Sequence, residues 1–149
     1  MSSRARLASV LASLVLLGCG GMQYGLRPES VAFEMGQPLL RWEAFPTAAD
    51  LEADDQGVLV RAQDVRYDLR VYRPNGALLL ERRGIPDTRF LVVLELRPGE
   101  YRWTVRPRFT VDGHTRIGQW SLQPKGRFEN AILPVPVESY PSFRVGARR

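Results

Sequence analysis

Apolar and polar residues alternate along most of the chain between residues 31 and 122, as they do in β-strands with one buried and one solvated face. The clearest example is DVRYDLRVY (64–72). Its two faces are Val65, Tyr67, Leu69 and Val71 on one side, and Arg66, Asp68, Arg70 and Tyr72 on the other. The stretch YRWTVRPRFTV (101–111) alternates in the same way. Both stretches predict strands with one face in a core.

Turn signals separate these strands from further short candidates. The other candidates are SVAFE (30–34), PLLRWEAF (38–45), ALLLER (77–82), TRFLVVLEL (88–96) and RIGQWSL (116–122). The turns between them are PNG, GIPD, RPGE and DGHT. About seven short strands without a convincing amphipathic helix predict an all-β fold, a seven-stranded antiparallel β-sandwich. We predict that its core contains Trp42, Tyr67, Leu69, Tyr101 and Trp103.

Four motifs give this predicted sandwich a family likeness: PLLRWEAFP, YDLRVY, LRPGEYRWTVRP and GQWS. Together they resemble a fibronectin type III domain, one of the immunoglobulin-like sandwiches. In that family a tryptophan on the second strand packs in the core, and Trp42 matches it. A Leu-x-Pro-Gly turn leads to a tyrosine whose hydroxyl caps the corner, and Leu96, Pro98, Gly99 and Tyr101 match that pattern, with a turn one residue shorter than the commonest form.

The first eighteen residues, MSSRARLASVLASLVLLG, have the pattern of a signal peptide. Two arginines precede an apolar core at residues 7–17, which is too short to span a bilayer. The segment ends Leu16-Leu17-Gly18-Cys19, which resembles the lipobox of bacterial lipoproteins. The resemblance implies that a diacylglycerol is attached to the Cys19 sulfur, that the signal is cut before Cys19, and that the new amine is acylated. The alternative is an ordinary signal peptide, or an uncleaved tether, with a cysteine there by chance.

These features divide the chain into four predicted parts. They are a lipoprotein signal peptide (1–18), a lipidated tether (19–30), the sandwich (31–123) and a proline-rich C-terminal extension (124–149). Within the extension, YPSFRV (140–145) could add an edge strand. Gly20 follows the cysteine, where an aspartate marks many lipoproteins kept at the inner membrane. The resemblance therefore implies the outer membrane with the domain facing the periplasm, and leaves export to the cell surface open.

The composition of the chain argues against nucleic-acid binding and against several kinds of metal site. The chain has 149 residues and a formal net charge of +5, and its 21 basic residues are interspersed with 16 acidic ones. This interspersion argues against nucleic-acid binding. With one cysteine and one histidine, the chain can form neither an intramolecular disulfide nor a multi-cysteine or two-histidine metal site. We predict no metal and no cofactor.

The sequence carries no recognisable catalytic site. The chain contains no nucleophile elbow, P-loop, dinucleotide fingerprint or metalloprotease motif. His114 lies in the predicted DGHT turn, where a solvated turn residue is the simpler interpretation than a catalytic base. The acidic stretch at 46–57 lacks the ligand spacing of an EF-hand, which favours a solvated loop over a calcium site. We therefore predict no catalytic residue and no enzyme.

Four arginines and a tryptophan fall on one face of the predicted sheet. If the strands pair as predicted, Arg66, Arg70, Arg102 and Arg106 lie on one solvated face, and Trp120 begins the next strand of that sheet. The tryptophan ring could then stack on an arginine, in an arrangement resembling the tryptophan–arginine ladder of cytokine-receptor sandwiches. Two interpretations stay open: a solubilising face of cross-strand pairs, or a patch for an acidic partner such as lipid phosphates, a polysaccharide or a protein.

Three functions follow from these predictions. The first is a lipid-anchored protein of the bacterial cell envelope that acts as a non-catalytic interaction module and binds another envelope protein. The second is a protein that binds glycans or lipid headgroups. The third is an enzyme, for which no site is visible. In all three the membrane is reached through the covalent lipid on Cys19, and nucleic acid is not a partner.

Overall fold

The computed structural model describes residues 26–121 and 136–147. The strands are β1 (Ala32–Glu34), β2 (Gln37–Arg41), β3 (Gln63–Tyr72), β4 (Leu78–Ile85), β5 (Arg89–Leu91), β6 (Gly99–Val111), β7 (His114–Ile117) and β8 (Ser142–Val145). One short helix, α1 (Ala48–Glu52), and two single 3-10 turns, Leu59–Arg61 and Val137–Ser139, complete the described elements. Within these residues no helix is long and apolar enough to cross a membrane.

The strands form two antiparallel sheets, which confirms the predicted all-β architecture of two layers. The smaller sheet has the order β1-β2-β5. The larger sheet has the order β4-β3-β6, and both β7 and β8 pair with the remaining edge of β6. The long strand β6 offers this edge to two partners in succession: β7 pairs with its residues 108–111 and β8 with its residues 99–102.

One core lies between the two sheets, and its composition follows from the alternating pattern. All five predicted core residues are buried. The Trp42 ring meets Tyr67 edge-on at a centroid distance of 5.5 Å and lies 6.3 Å from Trp103, so it joins the smaller sheet to both central strands of the larger one. Phe45 and Phe109 make a similar contact between the layers at 4.7 Å.

The corner before β6 is closed by the tyrosine that the sequence singled out. The Tyr101 hydroxyl donates a hydrogen bond to the Arg97 carbonyl at 2.9 Å, within the shortened turn. Gly99 allows the close approach of the β3–β4 turn, because a Cβ added there would lie only 2.8 Å from Pro74 Cγ. The corner therefore fixes where β6 starts relative to β3.

The structure differs from the sequence pattern in several places. The predicted strand at 116–122 continues only to Ile117, as part of β7, so Trp120 follows the strand and does not begin it. The predicted strand at 88–96 is a strand only over β5, because the chain then turns sharply as the Leu94 amide donates to the Val92 carbonyl. The acidic stretch at 46–57 contains α1, which begins because Thr47 and Asp50 form a reciprocal capping box. The described residues hold eight strands where the pattern predicts about seven, since β8 of the predicted C-terminal extension joins the larger sheet.

The two ends of the domain are distinct. At one end, which we call the chain-entry end, residues 26–30 run beside Trp42 and Glu43, and the Phe45 amide donates to the Tyr67 hydroxyl at 3.0 Å. At the other, the hairpin end, the β1–β2 turn lies beside residues 94–98 and the end of β8. The predicted signal peptide and Cys19 lie outside the described residues.

Candidate functional site

The predicted arginine face exists as one face of the larger sheet. Arg66 lies directly opposite Arg108, Asp68 opposite Arg106, Arg70 opposite Thr104 and Tyr72 opposite Arg102, across the β3–β6 pairing. Opposed residues on neighbouring antiparallel strands point to the same side. All four predicted arginines therefore share the outer face, as the alternation indicated, and they are joined by Arg108, which the sequence analysis did not select.

Trp120 completes this face from the segment after β7. The Gly118 amide donates to the Pro107 carbonyl at 2.8 Å, and the Ser121 amide donates to the Val105 carbonyl at 2.9 Å, so the segment continues along β6 beyond β7. The Arg106 and Arg70 guanidinium carbons lie 4.3 and 4.6 Å from the centroid of the Trp120 ring. Each such cation–π contact contributes about 0.5–1 kcal/mol at an exposed position. The predicted tryptophan–arginine stack is confirmed.

Asp68 is the buried anchor of the arginines. It lies on the solvated face by register yet is fully buried, with 0% of its surface exposed. Its Oδ2 accepts hydrogen bonds from Arg108 at 2.8 Å and Arg106 at 3.1 Å, and its Oδ1 accepts one from the Gly84 amide at 3.3 Å. Burial raises the pKa of the Asp68 carboxyl, but the hydrogen bonds from the two arginines and Gly84 together outweigh it and hold that pKa below the ordinary 3.8.

Arg70 and Arg102 also have carboxylate partners. Arg70 contacts Glu81 at 3.3 Å, and Glu81 accepts a second hydrogen bond from Arg83 at 2.6 Å, which holds the pKa of the Glu81 carboxyl below its usual value. Arg102 turns to the opposite end of the face, where it pairs with Glu100 and donates to the Tyr140 carbonyl at 3.1 Å. Arg102 therefore positions the segment that leads into β8 rather than joining the other arginines.

Positive charge remains uncompensated where Arg66 and Arg108 face each other. Arg66 is exposed and has no ion pair among the described residues, whereas Arg108 shares the single Asp68 carboxylate with Arg106. Like charges on directly opposed strand positions repel one another. Near the chain-entry end, Arg66 therefore has no carboxylate partner among the described residues, whereas Arg70 and Arg102 share Glu81 and Glu100 with Arg83 and Arg144.

Replacing Asp68 by asparagine should destabilise the domain by about 2 kcal/mol, because two guanidinium groups lose their charged partner and both are partly exposed, which limits the cost. The lowered pKa of Asp68 means that its contribution is complete above pH 3.8 and is lost as the pH falls through the folded-state value. Urea unfolding at pH 7 and below pH 3.8 measures both effects. At pH 7 the variant should be less stable than the parent. Between pH 7 and a pH well below 3.8, the variant should lose less stability than the parent does, because it has no Asp68 carboxylate to protonate.

The matched control is Asp87→Asn, since Asp87 is exposed and has no ion pair among the described residues. That variant should unfold within about 0.5 kcal/mol of the parent at either pH. Equal stability of Asp68→Asn and the parent at pH 7 would contradict the anchoring role of Asp68.

A second surface lies at the hairpin end and was not anticipated from the sequence. Phe33, Met35 and Leu94 line a cleft of about 840 Å³, and all three are exposed. Met35 is 95% exposed and occupies the left-handed region at φ 48°, in the two-residue turn that it forms with Gly36. A long apolar side chain in this backbone conformation is uncommon. The alternation could not reveal the cleft, because its residues come from a hairpin tip, an irregular segment and β8.

The chemical candidates of the sequence analysis lie in ordinary surroundings. His114 is the first residue of β7, just after the turn in which it was predicted; it is exposed, and its Nδ1 lies 2.9 Å from the Asp112 carbonyl. In the acidic stretch, Asp54 accepts a hydrogen bond from the Leu59 amide at 2.6 Å, which orders the loop. Across residues 26–121 and 136–147, no three His, Cys, Asp or Glu side chains are grouped as a metal site would require.

Comparison with known proteins gives no relative: no family model, no curated protein and no solved structure matches the chain.

Proposed function

We propose that this chain is a lipid-anchored protein of the bacterial cell envelope whose β-sandwich is a non-catalytic interaction module for another envelope protein. The anchor is the lipid on Cys19, at the outer membrane, with the sandwich facing the periplasm. Two features support a fibronectin type III-like sandwich in particular. Trp42 follows the second strand and packs between the sheets, and the Tyr101 hydroxyl closes the corner onto Arg97.

The observation that carries the proposal is the exposed apolar cleft at the hairpin end. Contiguous exposed apolar side chains on a small domain mark sites of protein or membrane contact. Met35 and Phe33 supply a flexible thioether and an aromatic ring, which suit an apolar side chain of a partner. The cleft also includes Glu95 and Arg97, so that charged groups border the apolar floor as in other protein interfaces.

The position of the cleft favours a protein over the membrane that holds the anchor. Residues 19–25 would join the lipid to Leu26 at the chain-entry end and span at most about 24 Å when extended. Met35 lies nine residues after Leu26 and most of the chain between them is extended, so the Met35 tip lies about 30 Å from Leu26. The tether is therefore too short for the Met35 tip to enter the bilayer head-on, and the tip projects toward proteins of the envelope.

Site-specific photo-crosslinking in intact cells tests this proposal. A photo-reactive residue replacing Met35 should yield one discrete protein adduct, and Phe33→Ser in the same chain should abolish it. Val60 is the matched control because it is also largely exposed but lies outside the cleft. A reactive residue at Val60 should not give that adduct. No adduct from position 35, or the same adduct from both positions, would contradict a protein partner at the cleft.

Binding of lipid headgroups is the second candidate function. The observation that favours it is the uncompensated positive charge of Arg66 and Arg108 near the chain-entry end. Trp120 offers less to a glycan, because two guanidinium groups already lie over its ring.

A further inference from the structure

Three side chains form a straight row across the larger sheet near the chain-entry end. Arg66 on β3 is opposite Arg108 on β6, and Arg108 is in turn opposite Ile117 on β7. The pairing places all three on the outer face. Ile117 is 49% exposed, so the row sets two guanidinium groups beside an aliphatic side chain in contact with solvent. We call it the Arg66–Arg108–Ile117 row.

Neighbouring groups leave this row basic. Asp68 is the carboxylate nearest to it by register, and it is already shared by Arg106 and Arg108. The next positions outward on the same face are Thr110 and Thr115, which carry no charge.

Two acids lie farther out, in the approach to β3 and in the β6–β7 turn. Asp64 is exposed, and Asp112 pairs with Arg61 at 3.3 Å. Arg108 also keeps spare donors, because a guanidinium has five N–H groups and only Nη2 contacts Asp68.

The row lies at the end of the domain where the chain enters. Phe109, next to Arg108 on β6, packs against Phe45, and residues 26–30 pair beside Trp42 and Glu43 in the same region. A seven-residue tether from Cys19 to Leu26 keeps this end within about 24 Å of the attachment point. The basic row therefore lies at the end of the domain that the anchor would hold near the bilayer.

We propose that the Arg66–Arg108–Ile117 row rests on the membrane surface, with the two arginines on anionic lipid phosphates and Ile117 at the headgroup boundary. This inference depends on the proposed lipid anchor at Cys19. Guanidinium groups pair well with phosphate oxygens because their N–H donors match that geometry. An arginine near an anionic membrane surface favours the bound orientation about fivefold. The contact would fix the orientation of the domain and hold the apolar cleft at the hairpin end away from the bilayer.

Fluorescence quenching by a quencher at the lipid headgroups, on the mature lipidated protein, tests the inference. The lipid occupies the Cys19 sulfur, so Ile117→Cys supplies a single free thiol for a fluorophore. The protein is placed in vesicles of phosphatidylcholine, with or without phosphatidylglycerol, that carry a headgroup quencher. The probe at position 117 should be quenched when phosphatidylglycerol is present, and several-fold less in its absence. Leu78→Cys is the matched control: Leu78 is also 49% exposed but lies at the far end of the same sheet, and its probe should not respond.

Charge variants separate the row from the general charge of the protein. Arg66→Gln with Arg108→Gln should remove most of the phosphatidylglycerol-dependent quenching at position 117. Arg66→Gln alone leaves the Asp68 contacts intact and should reduce it about fivefold. The control is Arg73→Gln with Arg82→Gln, which removes the same charge from exposed positions outside both the row and the cleft and should leave the quenching unchanged.

The outcomes are distinguishable from failure of the anchor. Mass spectrometry of the purified protein first confirms the lipid on Cys19, and its absence would overturn the proposed function itself. With the lipid present, equal quenching at positions 117 and 78, quenching at neither position, or quenching that survives the double arginine substitution would overturn the membrane contact of the row. These three results would overturn neither the proposed lipid anchor nor the proposed protein-binding cleft.

Discussion

Replacing Trp42 by alanine is expected to destabilise the domain by about 3–5 kcal/mol, enough to unfold much of a small protein at room temperature. Trp42 is 2% exposed and its ring contacts Tyr67 on β3 and lies near Trp103 on β6. Its removal leaves a cavity between the two sheets, where neither can close without distorting its strands. Urea unfolding followed by circular dichroism, on a soluble form that begins after Cys19, measures the loss.

A conservative variant makes this prediction sharper. Among the described residues the buried Trp42 Nε1 has no hydrogen-bond acceptor, so Trp42→Phe loses ring volume but no polar contact. We expect Trp42→Phe to be clearly milder than Trp42→Ala. Leu78→Ala, at an exposed position, should change stability by less than about 0.5 kcal/mol. If Trp42→Ala were as stable as Leu78→Ala, Trp42 would not be the centre of the core.

Replacing Cys19 by serine is expected to abolish lipidation and to leave an uncleaved precursor at the inner membrane. The thioether to diacylglycerol needs the cysteine sulfur. In bacterial lipoproteins the signal peptide is cleaved only after that bond has formed. One acyl chain holds a protein only marginally, and each buried CH₂ adds about 0.8 kcal/mol, so the three chains implied by the resemblance would make attachment effectively permanent. Mass spectrometry of the N-terminus and membrane fractionation measure the result.

Two further variants complete the test of the anchor. Gly21→Ala leaves both Cys19 and Gly20 unchanged, and this variant should be processed and sorted like the parent. Gly20→Asp should be lipidated but retained at the inner membrane, since aspartate at that position marks retention in many lipoproteins. A mature chain with a free Cys19 thiol, or one cut at another residue, would end the proposed anchoring.

The parts of the fold that depend on local pattern were predictable. Alternation places Tyr67 and Leu69 on the inner face because successive strand residues point to opposite sides wherever the strand lies in the sheet. The Trp120 contact with Arg70 and Arg106 was predictable too, since it needs only neighbouring strands in a common sheet. Signals for turns also act locally, as the closure of the corner by Tyr101 shows.

Other features appear only when distant segments meet. The alternating pattern predicts that Asp68 is solvated. It is buried instead, because Arg106 and Arg108, about forty residues later in the chain, pack over it. Arg102 belongs to the predicted face by alternation, but the return of the chain before β8 gives it carbonyl partners at the other end. Sequence spacing specifies neither contact, because each depends on the register between strands that are far apart in the chain.

The sequence by itself determined the central strands β3 and β6, their buried faces and the lipobox prediction at Cys19, because each depends on residues adjacent in the chain. The tertiary structure decided which arginines are neutralised and which stay free, because ion pairing depends on distance in space. It also decided that the apolar cleft and the Arg66–Arg108–Ile117 row lie toward opposite ends of one domain. That separation follows from the length of β6, whose two ends are joined to β8 and to β7.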